Sequence, residues 1–183
     1  LNPVEVYAGI IDGAVGSSRR LWVTIRDTLA LLLVAVAITP AFKMRFWNVG
    51  GEGQVLIGAT ATAAVMINLG DKVPAPVLFM LMIGASLLAG MVWGLIPALF
   101  KAGWNTNETL FTLMMNYVAT QIVSFCIVFW ENPAGSNSVG IINSASKAGW
   151  LPPLFDLTYG WNLVVSVALT AFMYIYLRYS KQG

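Results

Sequence analysis

Residues 73–100 read VPAPVLFMLMIGASLLAGMVWGLIPALF, a run of 28 positions without one charged side chain. A helix needs about 20 mostly apolar residues to cross the hydrocarbon layer of a bilayer, so this run is long enough for a span. It has company. Residues 28–42, 53–70, 109–130 and 157–177 are also uncharged. The 28–42 run reaches spanning length when Asp27 and Lys43 sit at its two interfaces. The whole 183-residue chain is 58% hydrophobic and 10% charged, where a soluble domain runs at about 45–50% and about 25%. A water-soluble fold of this size would lack the charged surface that keeps it dispersed. The pattern predicts an all-α, polytopic transmembrane bundle of about five spanning helices.

The other counts exclude chemistry. There is no His, so imidazole bases and His-ligated metals are absent from the sequence. Cys126 is the single cysteine and lies inside an apolar run, which leaves no internal disulfide or Cys cluster. The net charge of +2 is too small and dispersed for a nucleic-acid surface. Serines are scattered without a His or an intramembrane Lys, and no two carboxylates share a span, so an intramembrane hydrolase is disfavoured. The chain reads as no enzyme, with no metal site and no cofactor.

The expected organisation is a lead-in over 1–27 followed by a membrane domain over 28–183. The lead-in holds six of the 18 charges. Its Ile10, Ile11, Val15, Leu21, Trp22 and Ile25 could form one face of an interfacial helix, or the segment is a plain extracytoplasmic lead-in. The spans are expected at about 28–46, 50–69, 74–100, 107–130 and 159–177. Pro40 and Pro97 mark expected kinks or stops. An outer loop over 131–158, rich in Asn, Pro, Gly and Ser, is too polar to cross. Lys43, Arg45, Lys101, Arg178 and Lys181 fall on one side of a five-span chain, and Lys72 and Lys147 on the other. That bias places the C-terminal end in the cytoplasm, against the vote of Arg19, Arg20 and Arg26.

Small residues mark the packing. Ser86, Gly90, Gly94 and Ala98 recur every four positions on the third span, a ridge that lets another helix approach closely. Gly58 and Thr62 make a similar strip on the second. Helix packing within the bundle and a dimer seam are the two readings of these strips. Trp47, Trp93, Trp104, Trp130, Trp150 and Trp161 mostly fall near expected span ends, as an aromatic belt would place them.

Two polar clusters carry the functional information, because apolar spans tolerate such groups only with partners. The first is Asn48-Val49-Gly50-Gly51-Glu52-Gly53-Gln54, at the mouth of the second span. Its glycines free the backbone for a sharp re-entry. Glu52 is favoured by the helix dipole and is near Lys43 and Arg45 in sequence. Gln54 enters the membrane and needs a hydrogen bond. This turn is either a capped, salt-bridged structural element or part of a gate. It is not a phosphate loop, since no Gly-Lys-Ser/Thr follows. The second cluster is Asn105-Thr106-Asn107-Glu108-Thr109, where Asn105 and Glu108 fit a capping box with Asn in the hydroxyl position. Asn107-Glu108-Thr109 matches a glycosylation sequon, accidentally at a cytoplasmic membrane edge. Deeper lie Asn116 and Gln121. Thr112 precedes Asn116 by one turn on nearly the same face. Asn116 either lines a cavity or bridges helices.

These residues resemble a family. Arg45-Phe46-Trp47-Asn48-Val49-Gly50-Gly51-Glu52-Gly53-Gln54-Val55-Leu56-Ile57-Gly58-Ala59 resembles the "fNIGxEGQlliGA" signature of permease subunits from bacterial ABC importers for nucleosides and simple sugars. That group lies within the ribose and branched-chain amino acid permeases. Trp93-Gly94-Leu95-Ile96-Pro97, then Asn107-Glu108-Thr109-Leu110-Phe111-Thr112-Leu113-Met114-Met115-Asn116-Tyr117-Val118-Ala119, is similar to its "WgliPg…NEvittLMlNYia". Asn2-Pro3, Tyr7 and Gly13-Ala14-Val15-Gly16-Ser17 match its "NP…aY…GafGs" lead-in. Val49 stands where the family has Ile.

The resemblance implies an internal fragment of a longer permease, with an earlier span before it. Several more spans would follow, with the loop that docks on the ATPase. It also implies a solute path in the bacterial plasma membrane, with membrane lipid around it. The expected partners are a second permease subunit, a cytoplasmic ATPase subunit that binds the ATP, and an extracytoplasmic solute-binding lipoprotein. No binding-residue pattern of the family maps onto this chain. Polarity alone therefore selects Asn48, Gly50, Gly51, Glu52, Gly53, Gln54, Asn107, Glu108 and Asn116 as the pathway or gate. The rivals are a non-transporting scaffold or assembly subunit, and a channel or secondary carrier. The lack of a mid-span Asp, Glu or His speaks against proton coupling.

Overall fold

Asn2 opens the first helix of the computed structural model, which describes residues 2–154 and 160–180. Its side chain accepts from the Val4 amide, and Pro3 follows at the first helical position, where a missing N–H is harmless. Helix α1 runs Pro3–Val15, α2 Ser18–Lys43, α3 Gly51–Leu69, α4 Ala75–Trp104, α5 Glu108–Phe129 and α6 Gly160–Tyr179. The described residues are helices and connections. Four helices, α2, α4, α5 and α6, are long and apolar enough to cross a membrane. The protein is an all-α, polytopic membrane protein. The second expected span, about 50–69, corresponds to α3, which has the length but is diluted by Glu52, Gln54 and Asn68. Lys181 and residues 155–159, used above for the side count and the end of the outer loop, lie outside the described residues.

The chain forms two units. One comprises residues 1–44 and 151–183, the other 45–150. In the first, the lead-in residues fall in two helices, α1 and the start of α2, with a break at Gly16-Ser17. Ser17 caps α2 by accepting from the Arg20 amide at 3.3 Å. The charges before residue 28 do not end the helix. Arg20 pairs with Asp12 at 2.6 Å and Arg26 with Asp27 at 2.8 Å, so α2 extends N-terminally through them. Thr24 Oγ1 donates to the Ala14 carbonyl at 2.8 Å and fastens α1 to α2. Pro40 falls within the last turn of α2, and the helix runs on to Lys43. α6 packs on α2, with Ser166 fully buried and donating to the Asn162 carbonyl.

The second unit is built around α3, which packs against both α4 and α5. Its connections are short, and each end needs closing. Asn105 ends α4 in the left-handed conformation, φ 49°. Asn107 then opens α5 by accepting from the Leu110 amide at 3.1 Å. The capping-box reading of Asn105 is therefore corrected. With so few residues between the helices, one Asn serves as a C-cap and the next as an N-cap. Glu108 turns to Lys101, 2.9 Å away. Across the same junction Phe100 stacks on Phe111 with ring centroids 4.7 Å apart. At the far end of α3, Asn143 from the loop donates to the Met66 carbonyl at 2.9 Å and to the Ala148 carbonyl at 3.2 Å. Fully buried apolar side chains are few, Leu78 and Ala119 among the described residues. Lipid supplies no hydrophobic drive between helices, so small residues and polar bridges must hold them.

Candidate functional site

The turn into α3 has no capping side chain of its own. Gly50 is its N-cap residue and offers none. The exposed amides at a helix start still need acceptors, and α5 supplies them. Asn116 is 7% exposed, and its Oδ1 accepts from the Gly53 amide at 2.9 Å. Its Nδ2 donates to the Val49 carbonyl at 3.1 Å. One turn earlier on α5, Thr112 Oγ1 accepts from the Val49 amide at 3.2 Å. It donates in turn toward the Glu108 carbonyl, 2.7 Å away. Asn48 completes the turn by accepting from the Gly50 amide at 2.9 Å. An amide and a hydroxyl on one face of α5 thus cap a neighbouring helix. Asn116 bridges helices.

The glycines are where a helix backbone meets the side chains of its neighbour. A β-carbon on Gly53 would stand 2.8 Å from Asn116 Oδ1 and 3.0 Å from Trp93 Nε1. One on Gly50 would stand 3.1 Å from the Thr112 β-carbon. Gly51 is buried beside them. On the α4 side, a β-carbon on Gly94 would run into the Gln54 amide, and one on Gly90 would only touch the Gln54 carbonyl at 3.8 Å. Ser86 Oγ comes within 3.0 Å of the β-carbon position of Gly58. Ser86, Gly90 and Gly94 therefore lie along the α3–α4 contact, with Ala98 half-buried one turn further on.

The structure separates the selected polar residues into two groups. Asn48, Gly50 and Gln54 line, with Trp93, Pro97, Thr112 and Met115, a cleft too narrow to admit water, and Gly51, Gly53 and Asn116 are buried in the same junction. Glu52 points outward. It is exposed, and no ion pair reaches it among the described residues, so the salt-bridged form of the turn is not the one adopted. Asn107 is exposed as the α5 cap, and Glu108 is engaged with Lys101, its side chain 14% exposed. Gln121 is exposed on α5. Sequence reasoning placed Trp93 in an aromatic belt. It sits instead well inside α4, against Gly53, and the signal was its place within the longest uncharged run. Asn143 was missed, since nothing local distinguishes it from the other loop asparagines.

No solved structure matches this chain. A family model described as the permease component of branched-chain amino acid transport systems matches residues 23–183. The guanosine ABC transporter permease protein NupP of Bacillus subtilis is 33% identical over 179 residues, 97% of this chain and 51% of its own length. The glucose ABC transporter permease protein TsgB13 of Haloferax volcanii is 29% identical over 196 residues, covering 100% of this chain and 50% of its own length. The nucleoside ABC transporter permease protein NupB of Lactococcus lactis subsp. cremoris is 24% identical over 187 residues, 98% of this chain and 51% of its own length. The chain spans about half the length of these relatives. With a family match across most of its length, the chain belongs to the permease-component family of branched-chain amino acid transport systems.

Proposed function

We propose that this chain forms part of the transmembrane permease subunit of an ABC-type importer, contributing to the inward path of a nucleoside or simple sugar. The observation that carries this reading is the similarity along nearly the whole chain to permeases named for guanosine, nucleosides and glucose. ATP is hydrolysed by a separate cytoplasmic subunit, in keeping with the lack of a phosphate loop in this sequence. A second permease subunit stands beside it, and an extracytoplasmic solute-binding lipoprotein delivers the solute. The protein lies in the bacterial plasma membrane with the Arg178 end of α6 toward the cytoplasm.

Within this reading the turn before α3 is a positioning element of the gate. Its buried members, Gly50, Gly51, Gly53 and Asn116, set where α3 begins, while Asn48 and Gln54 line the seam. Glu52 faces outward and is open to solute or partner, while Asn107, also exposed, is held as the cap of α5. The test is uptake in cells deleted for the full-length subunit, with labelled guanosine and labelled glucose. Loss of at least one uptake on deletion, restored by the gene, is the expected result. Unchanged uptake of both solute classes would favour a scaffold role.

A further inference from the structure

Trp93 keeps its indole N–H shielded from solvent and without a hydrogen-bond partner. Such donors are rare in folded proteins and call for a physical reason. The cleft around it, lined by Asn48, Gly50, Gln54, Pro97 and Thr112, leaves no space for a bridging water. An acceptor stands just across Gly53. The empty β-carbon position of that glycine is 3.0 Å from Trp93 Nε1 and 2.8 Å from Asn116 Oδ1. In this structure the Gly53 N–H holds that oxygen, and the indole stops short of it.

We propose that Trp93 Nε1–H and the Gly53 N–H are alternate donors to Asn116 Oδ1, which makes the clamp a two-position latch. In the closed position, seen here, α5 holds the start of α3. In the open position the start of α3 withdraws and the indole on α4 takes over the amide oxygen. The exchange is asymmetric in a useful way. Gly53 lies in the first turn of α3, where a released amide can reach water at the membrane edge. Trp93 lies mid-helix and shielded from solvent, where its indole N–H has no water to turn to. The absence of a side chain at Gly53 keeps the route between indole and amide open. The role of the latch in transport rests on the permease reading; its existence does not.

The test is Trp93→Phe in the full-length, assembled protein, read by backbone hydrogen exchange over residues 50–56 and by uptake per complex. Removing a donor that never reaches Asn116 would relieve its desolvation cost equally with or without that amide, so the change is also made in an Asn116→Ala background, where the latch predicts no slowing. With the latch, the open position loses a hydrogen bond, so exchange over that segment slows about fivefold and uptake falls with it. Unchanged or faster exchange overturns the proposal. Should Trp93→Phe fail to assemble, benzothienylalanine at position 93 keeps the bicyclic ring and removes only the N–H. The same outcomes then apply. A complex that carries neither nucleoside nor sugar would sink the permease reading, while the exchange measurement would still report on the latch.

Discussion

Asn116 Oδ1 lies 2.9 Å from the amide nitrogen of Gly53, 63 positions away in the chain, and Asn116 Nδ2 lies 3.1 Å from the Val49 carbonyl. One side chain thereby satisfies a donor and an acceptor on either side of the turn that starts α3. With the clamp in place these groups are satisfied by protein and not by water, so the bridge sets where α3 begins against α5.

Asn116→Ala should therefore be expensive. It strands a buried N–H and a part-buried C=O, and the expected loss is about 1–3 kcal/mol. Thr112→Val should lose less, about 1 kcal/mol, since it removes one long acceptor contact and a donation back to the Glu108 carbonyl within α5, and keeps the shape. Thermal unfolding of the full-length protein in detergent measures both. Wild-type stability for Asn116→Ala would mean the bridge is not holding the helices.

The glycines give a graded series. Gly53→Ala and Gly50→Ala place a methyl against Asn116, Trp93 and Thr112 and should destabilise by about 1–3 kcal/mol. Gly84→Ala meets nothing within 4 Å and should stabilise by about 0.5–1 kcal/mol through helix propensity. Gly90→Ala, at ordinary contact distance from Gln54, should be near neutral. The same unfolding assay checks the order. A Gly53→Ala protein as stable as Gly84→Ala would remove the close-approach argument.

Orientation can be read directly. With Cys126 replaced, Gly103→Cys and Ser138→Cys in the full-length protein should react with a membrane-impermeant thiol reagent from opposite faces, the former from the cytoplasm. They flank α5, whose 22 residues reach about 33 Å, enough to cross. Labelling from one face would mean that α5 does not span.

Where a run was both long and uncharged, the sequence reading and the helices coincide closely. The expected 74–100 and 107–130 became Ala75–Trp104 and Glu108–Phe129. The reading went astray where charge was taken as a stop. Arg20 and Arg26 carry α2 back to Ser18 because Asp12 and Asp27 neutralise them. Asn105 and Asn107 are both helix-end residues by type, and only the backbone turn between α4 and α5 tells which does what. Asn48, Gly53 and Asn116 were selected as polar or permissive residues in an apolar setting. That Asn116 clasps this turn is long-range information, invisible to any local period. The Trp93 position is legible only once α3 and α4 are laid against each other.

The central claim is that the turn before α3 shapes transport through close backbone approach and not through its charge. It is tested most directly by uptake per assembled complex for Gly53→Val, with Glu52→Gln beside it. Glu52 is exposed, and its loss should cost at most about 1 kcal/mol, the scale of a helix-dipole contact, with uptake retained. Gly53→Val should insert and assemble yet carry no solute, because its side chain would occupy the space between Asn116 and Trp93. Wild-type uptake by Gly53→Val complexes would contradict the account and leave the turn a structural connection alone.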